Sequence, residues 1–459
     1  MRRETPPVRR AARPVRRAAL PVQRAAGRAR VIWRNWSGEQ ACSPAEVVRP
    51  RSTEEVAAAV QRARDAGRVV RVAGAGHSFT SAVLTAGVLL SLDAMDRVVW
   101  ADPGGRRVRV QAGIRLHALS EALARRGLAL ENMGDVDAQS IAGATATGTH
   151  GSGVELRNLS AAIEAVQIVA GDGSVREIDG GDALRAARIS VGALGVVTEL
   201  TLRCVPAFVM RGVDAPAPLD DVLDRLDELA DGARHFEFYA FPHSDTVLTR
   251  TNRVVTAPAQ PPGRARRWAE DVLLANHGLH LACGLARRRP RWIPSISRAM
   301  TSALSERTRI DRSDRIFVSP RRVRFTEMEQ AFPRAAARDA LRAILAEVRR
   351  HPVIFPIELR FVAPDDALLS PAHGRDTVYI AVHNYVGMPW EPYFRAVAAI
   401  GAEHGARPHW GKRHFHTAAT LAPLYPEWER FQAVRAELDP EGRFTNAYVE
   451  RVLGPPAAR

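Results

Sequence analysis

Residues 134–153 read GDVDAQSIAGATATGTHGSG, five glycines set among small and hydroxyl-bearing side chains. A shorter stretch of the same character, RVAGAGHSF, occupies 71–79. Glycines let backbone N–H groups close on an anion, and Ser and Thr hydroxyls add donors. A lone Gly-x-Gly usually marks a turn; two such loops in one half of a chain are better evidence for a phosphate-bearing ligand. Neither is the dinucleotide fingerprint of parallel-sheet folds, because Phe79 stands where the third glycine of Gly-x-Gly-x-x-Gly belongs. Neither ends in the Lys-Ser/Thr of a P-loop.

The flanking sequence places the first loop after a helix and a strand. Ser52 and Glu55 hold the reciprocal positions of a capping box, Val56, Ala59, Val60 and Ala63 recur at helical spacing, and Gly67 is a stop. Residues 69–72 read as a strand running into Gly74. Further strands are expected at 108–112, 166–170 and 195–205, with a turn at 171–173 and a helix over 116–126 ended by Gly127. After Pro206 the texture changes. Strands are expected at 235–241, 246–250, 355–362 and 377–383, a Pro-rich loop at 256–267 and a helix over 391–405. Residues 268–310 read as partly helical, broken at 287–294. Strands and helices mix without regular βαβ alternation, which predicts an α+β protein.

At 459 residues the chain exceeds what one core usually serves, and 46% hydrophobic with 25% charged residues is an ordinary globular composition. No run approaches the roughly 20 apolar residues of a membrane span. Cys42, Cys204 and Cys283 are odd in number and lack a CxxC, which argues against a disulfide framework or zinc site and suits a reducing cytoplasm. The net charge of +15 is uneven: residues 1–30 hold ten arginines against Glu4, a balance of +9 that leaves +6 for the rest. That stretch also carries Pro6, Pro7, Pro14 and Pro21 and is expected to be a disordered tail, with an electrostatic tether to nucleic acid or an anionic membrane as the minor alternative. The body is not a basic nucleic-acid-binding module. Among 65 basic side chains Lys412 is the single lysine. A compact ammonium kept where every other cation is a guanidinium marks either chance on a solvated surface or a site the planar fork cannot serve.

With Gly74-Ala75-Gly76-His77-Ser78 after a strand, then Ser140-Ile141-Ala142-Gly143 and Thr147-Gly148-Thr149-His150-Gly151, the chain resembles the FAD domain of the vanillyl-alcohol oxidase superfamily. Within it the chain looks like the aldonolactone oxidoreductases, the L-gulono-1,4-lactone and D-arabinono-1,4-lactone oxidases or dehydrogenases. The likeness continues through 235–239, 357–361, 379–383 and 407–415 and covers nearly everything after residue 31. It implies a two-subdomain PCMH-type FAD-binding domain with a cap built on an antiparallel sheet. It also implies FAD bonded covalently to His77, with Gly74, Ala75, Gly76, Ser78, Ser140, Gly143, Thr147, Gly148, His150 and Gly151 around the cofactor.

Glu358 and Arg360, two apart on an expected strand, fall on one face. Such a pair is more often a cross-strand ion pair than a catalytic unit. The resemblance implies that Glu358 orients a substrate hydroxyl and that Arg360 offsets developing negative charge. It places Lys412, in His409-Trp410-Gly411-Lys412, at the substrate or a flavin carbonyl, with proton removal as a further role. It puts Ser140, His383 and Tyr385 on the substrate side. His409, His414 and His416 cluster locally, but no carboxylate joins them at useful spacing, and no metal site is expected.

The expected domains are the tail at 1–30, the FAD domain at 31–205, the cap at 206–415 and a segment at 416–459 returning to the FAD domain. The implied reaction is hydride transfer from an aldono-1,4-lactone to FAD, reoxidised by oxygen, a cytochrome or a quinone. The implied setting is cytoplasmic, with peripheral membrane association left open. An alditol oxidase sharing the covalent flavin is the alternative.

Overall fold

The helix Thr53–Asp65 begins where the cap signal sets it, with Ser52 Oγ accepting the Glu55 amide at 3.3 Å. The Glu55 carboxylate does not close the box; it accepts the amide of Arg51 at 2.9 Å. Val56, Ala59, Val60 and Ala63 are the buried face. In this computed structural model the described residues are 23–24, 31–263, 276–319 and 321–455. The Arg-rich tail, apart from the short strand Gln23–Arg24, and the first part of the stretch expected to be helical over 268–310 lie outside them.

Two sheets build the amino-terminal half. Strands Glu46–Val48, Val88–Ser91 and Val70–Ala73 form a parallel three-stranded sheet in that order. A five-stranded antiparallel sheet runs Val175–Ile178, Ile163–Val169, Val196–Arg203, Arg107–Gln111, Val98–Asp102. Their apolar faces share one core with Leu116, Leu119 and Leu123 of the helix Leu116–Ala124. The carboxyl-terminal helices Trp428–Leu438 and Ala447–Leu453 return to this core through Phe431, Leu438, Tyr448, Val449 and Val452. Trp410 and Ala367–Leu369 also belong to it.

Arg71 locks these parts together. It is 4% exposed, and its guanidinium donates to the carbonyls of Ala82 (2.7 Å), Gly192 (2.9 Å), Val191 (3.1 Å) and Phe444. Burial lowers it to about 10 despite the raising influence of Asp439.

The second unit is an eight-stranded antiparallel sheet in the order Arg307–Arg312, Val209–Pro218, Thr246–Val255, His235–Ala240, Ile357–Val362, Thr377–Tyr385, Phe325–Pro333, Arg407–Pro408. Its central strands are buried on both faces. Phe236, Phe238, Leu359, Phe361, Ile380, Val382, Met328 and Phe332 pack in one apolar cluster with helices Ala337–Val348 and Glu391–Glu403. The alternate residues are Glu237, Tyr239, Glu358, Arg360, His383, Glu327 and Glu329, all buried. The Phe325–Pro333 strand was not legible in advance, because Thr-Glu-Met-Glu-Gln reads as a solvated edge unless the polar face is itself buried. Between these strands the helices Leu279–Arg288 and Ile293–Ser302 flank a turn at Pro290–Trp292, which accounts for the expected break.

Arg71→Met would strip four carbonyls of their donor. It is expected to cost about 3 kcal/mol, the scale of leaving several buried polar groups unpaired. A thermal melt unchanged from the parent would show that the clamp is dispensable.

Candidate active site

Two clefts meet at His77. The first lies between the end of the Val70–Ala73 strand and the short helix Ile141–Thr145. Gly74, Ala75, Gly76, Ser78, Ser140, Gly143 and Thr147 line it, with Ser190–Gly192 opposite. Gly74 faces Ser140 Oγ so closely that a Cβ would collide with it. Among the described residues, Ala75, Gly76, His77 and Ser78 donate no amide to a main-chain carbonyl. An elongated cleft with unused amides and no room for side chains fits a dinucleotide diphosphate.

The second cleft shares His77, Ser78, Gln139 and Thr147 with the first. Its walls are Trp36, Phe79 and Phe325 on one side and the polar face of the cap sheet on the other. His77 stacks on Trp36 with ring centroids 5.6 Å apart. Burial, helped by Arg115 and Lys412, lowers the imidazole to about 4, so it is neutral at physiological pH.

Strand register assembles the charges. Glu237 lies directly across from Arg360, Tyr239 from Glu358, and Glu327 from His383. Arg360 pairs with Glu358, with Glu237 at 3.1 Å and with Asp135 at 3.8 Å. Asp135 comes from the 134–153 loop and is also gripped by Arg321, whose Nε donates at 2.9 Å. Burial, with Asp135 and Glu237 nearby, raises Glu358 above the ordinary carboxylate value in spite of Arg360. Lys412 ion-pairs with Glu327 and lies 5.3 Å over the Phe79 ring. Burial alone would lower the ammonium, but Glu327 and Glu329 raise it above its ordinary value. These carboxylates favour the charged form of Lys412. His383 Nε2 faces the other oxygen of Glu327 at 3.5 Å.

The expected site residues are thus distributed unevenly. Glu358, Arg360, Lys412, His383, His77, Ser78, Thr147 and His150 line the second cleft. Ser140 lies on the glycine side, and Tyr385 is turned toward the helix Leu279–Arg288, 3.4 Å from His280 and beneath Arg287. Gly148 and Gly151 line neither cleft. Gly148 has φ +77° and packs near Ile189, while Gly151 is pressed against Asn132 and Met133, so both glycines answer local crowding.

Of the local cluster His409, His414 and His416, only His409 joins a carboxylate: Glu329, from another strand, gathers with it and His150, all buried, with their ligand atoms within 4.8 Å of one another. The tautomer argues against a metal. His409 Nδ1 accepts the Gly411 amide at 3.0 Å, which puts the proton of this neutral ring on Nε2 and leaves no lone pair there. Burial lowers His409 to about 3. His150 instead offers Nε2 to Glu329 at 3.2 Å and Nδ1 to the Gly151 carbonyl at 2.9 Å, and stacks on Tyr379.

The family model described as D-arabinono-1,4-lactone oxidase matches residues 200–452, and an FAD binding domain model matches 44–179. The chain belongs to the D-arabinono-1,4-lactone oxidase family. It is 49% identical to L-gulono-1,4-lactone dehydrogenase of Mycobacterium tuberculosis over 92% of this chain and 99% of that protein. It is 35% identical to alditol oxidase of a Streptomyces species over 91% and 98%. Among solved structures, cholesterol oxidase from B. sterolicum superposes with a TM-score of 0.79 at 17% identity, covering 97% of this chain and 100% of that one. That likeness is one of fold: an α+β architecture with an antiparallel-sheet domain.

Sequence reading missed Asp135, Glu237, Arg321, Glu327 and Glu329 in this member of the family. Asp135 stood inside the diagnostic loop but was read there as part of a phosphate cradle. Glu237 stood in a segment already singled out, on the same strand face as Tyr239. Glu327, Glu329 and Arg321 carried no local signal, since their meaning depends on strands distant in sequence.

Asp135→Asn leaves two guanidiniums short of a carboxylate and is expected to cost about 3 kcal/mol in thermal unfolding, as for a broken buried pair. Combining it with Arg321→Met should restore part of the loss. Strictly additive losses in that double-mutant cycle would show the two are uncoupled.

Proposed function

We propose that this protein oxidises a hydroxyl-bearing ring carbon of a sugar-derived aldono-1,4-lactone of the L-gulono- or D-arabinono- type, with FAD held in the glycine-lined cleft and bonded to His77. The observation that carries the proposal is the position of His77. A neutral imidazole stands where a cleft suited to a dinucleotide opens into a pocket holding a raised carboxylate, a guanidinium and the chain's single ammonium. Neutral imidazole is a competent nucleophile, which suits a covalent flavin link. Relatives named for lactone oxidation support the substrate class.

When bound, FAD supplies the hydride acceptor. The protein's part is to bind, orient and deprotonate. Glu358, raised by burial, is suited to hold the substrate hydroxyl and accept its proton. Arg360 and Lys412 provide fixed positive charge for the oxygen that becomes negative, and Glu327 aims Lys412 by pairing with it. Trp36, Phe79 and Phe325 exclude water from one side. The acceptor that takes the electrons onward is oxygen, a cytochrome or a quinone. Three unpaired cysteines, two of them buried, suit a reducing compartment such as the cytoplasm. A polyol is the second substrate reading, favoured by the 35% identity to an alditol oxidase.

Anaerobic addition of L-gulono-1,4-lactone should bleach the flavin band of the purified protein, and readmitted air should restore it only if oxygen is the acceptor. Bleaching by open-chain polyols alone would select the second reading. His77→Ala should leave the flavin extractable by acid; flavin that stays attached in that variant would end the covalent assignment. Lys412→Arg should lower kcat about tenfold or more, since charge is kept but its position is not. Near-parental turnover would leave Lys412 only the role of pairing with Glu327.

The pH profile carries a further prediction. Glu358 must be ionised to accept a proton, so activity should fall as pH drops through its raised pKa, above the ordinary value of about 4.3. Glu237→Gln removes a neighbouring negative charge and frees Arg360 for Glu358, so the acid limb of kcat/KM should move to lower pH. An unmoved limb would assign it to another group.

A further inference from the structure

Three of the seven exposed large apolar side chains among the described residues stand on one segment: Leu281 (74% exposed), Leu285 (38%) and Trp292 (44%). Leu281 and Leu285 are one turn apart on the helix Leu279–Arg288, and Trp292 follows in the Pro290–Trp292 turn. The inner side of the same segment is a packed layer. Cys283, Ala286 and Ile293 are buried against Phe79, Phe325, Phe355 and Tyr385, so the helix backs directly onto the aromatic wall of the second cleft.

The outer side departs from what a water-facing helix needs. An amphipathic surface helix turns its polar stripe to solvent. Here the outward stripe begins with leucines and continues into arginine: Arg287, Arg288, Arg289, Arg291 and Arg298 are exposed, and no acidic residue occurs between Asn276 and Ser305. Apolar side chains fringed by arginines, with a tryptophan at the boundary, is the composition of a helix lying in a lipid interface.

We propose that the segment from Leu279 to Trp292 is a docking surface for an anionic lipid bilayer, with Leu281, Leu285 and Trp292 entering the acyl boundary and the arginines pairing with lipid phosphates. Charge decides the occupant. A second copy of the chain would set five guanidiniums against five, and a basic protein would be repelled in the same way. A negatively charged surface with an apolar interior satisfies both halves of the patch. Docking there lays the aromatic wall of the active-site cleft against the membrane, one helix layer from the lipid.

The test uses the full-length protein and vesicles of phosphatidylglycerol or phosphatidylcholine, read by flotation, so it does not depend on the proposed activity. Binding to phosphatidylglycerol vesicles is expected, and its absence would overturn the proposal. The ten arginines of residues 1–30 can also attract anionic lipid, so the location needs its own readout. Leu281→Gln, Leu285→Gln and Trp292→Gln together should weaken partitioning about tenfold or more, because the apolar burial is lost. Arg288→Gln, Arg289→Gln and Arg291→Gln together should weaken it about a hundredfold at low salt, from roughly fivefold per charge. Brominated phosphatidylglycerol should quench tryptophan fluorescence in the parent more than in Trp292→Phe. Parental binding by the apolar triple variant, or equal quenching in Trp292→Phe, would place the contact elsewhere and overturn the assignment. Unchanged thermal melts of these surface variants would establish that folding is not the cause.

Discussion

Arg360 carries one positive charge and faces three carboxylates, and that shortfall sets the character of the cleft. Glu358, Glu237 and Asp135 divide it among them, and Arg321 supplies a second cation on the far side of Asp135. A carboxylate with a guanidinium to itself in a buried site is pulled down. Glu358 has only a share, so burial and its acidic neighbours win and its affinity for a proton goes up. Across the sheet Lys412 has the opposite balance, one ammonium between Glu327 and Glu329, and stays charged. One fold thereby raises the proton affinity of a carboxylate in the same cleft that favours the charged form of an ammonium.

This arrangement is possible because the cap sheet is buried on both faces with opposite chemistry on each. Alternation along a strand sends Leu359 and Phe361 to the helices and Glu358 and Arg360 to the cleft. Antiparallel register then brings residues from four strands onto one face, with Glu237 opposite Arg360 and, in a separate row, Glu327 opposite His383. A slip of one residue would exchange the faces and bury unpaired charge among Phe236, Phe238 and Phe361. The ion pairs therefore specify the register as well as the chemistry, while the apolar face provides the cohesion.

The two glycine loops solve different problems with the same residue. Gly74 and Gly143 leave the wall of a cleft bare, so that backbone rather than side chains meets a ligand. Gly148 and Gly151 sit behind that wall, where the chain turns through positive φ or presses on Asn132 and Met133. Arg71 holds the first loop's strand to the Ser190–Gly192 segment and to the carboxyl terminus, so the cleft is bounded by three parts of the chain fastened at one guanidinium.

What the sequence determined by itself was whatever depends on neighbours along the chain. The Ser52 cap, the apolar stripe from Val56 to Ala63, the Glu358–Arg360 spacing and the glycine loops are local patterns, and each was legible because spacing of 2 or 3.6 residues is a property of the backbone. Only the tertiary structure decided that Glu327 and Glu329 belong to a cleft rather than to a solvated edge, that Asp135 feeds the Arg360 network, and that His150 meets Glu329. Those assignments rest on strand register and on contact between the two cores. The energy of a charge is set by what surrounds it in space, and no stretch of sequence carries that information alone.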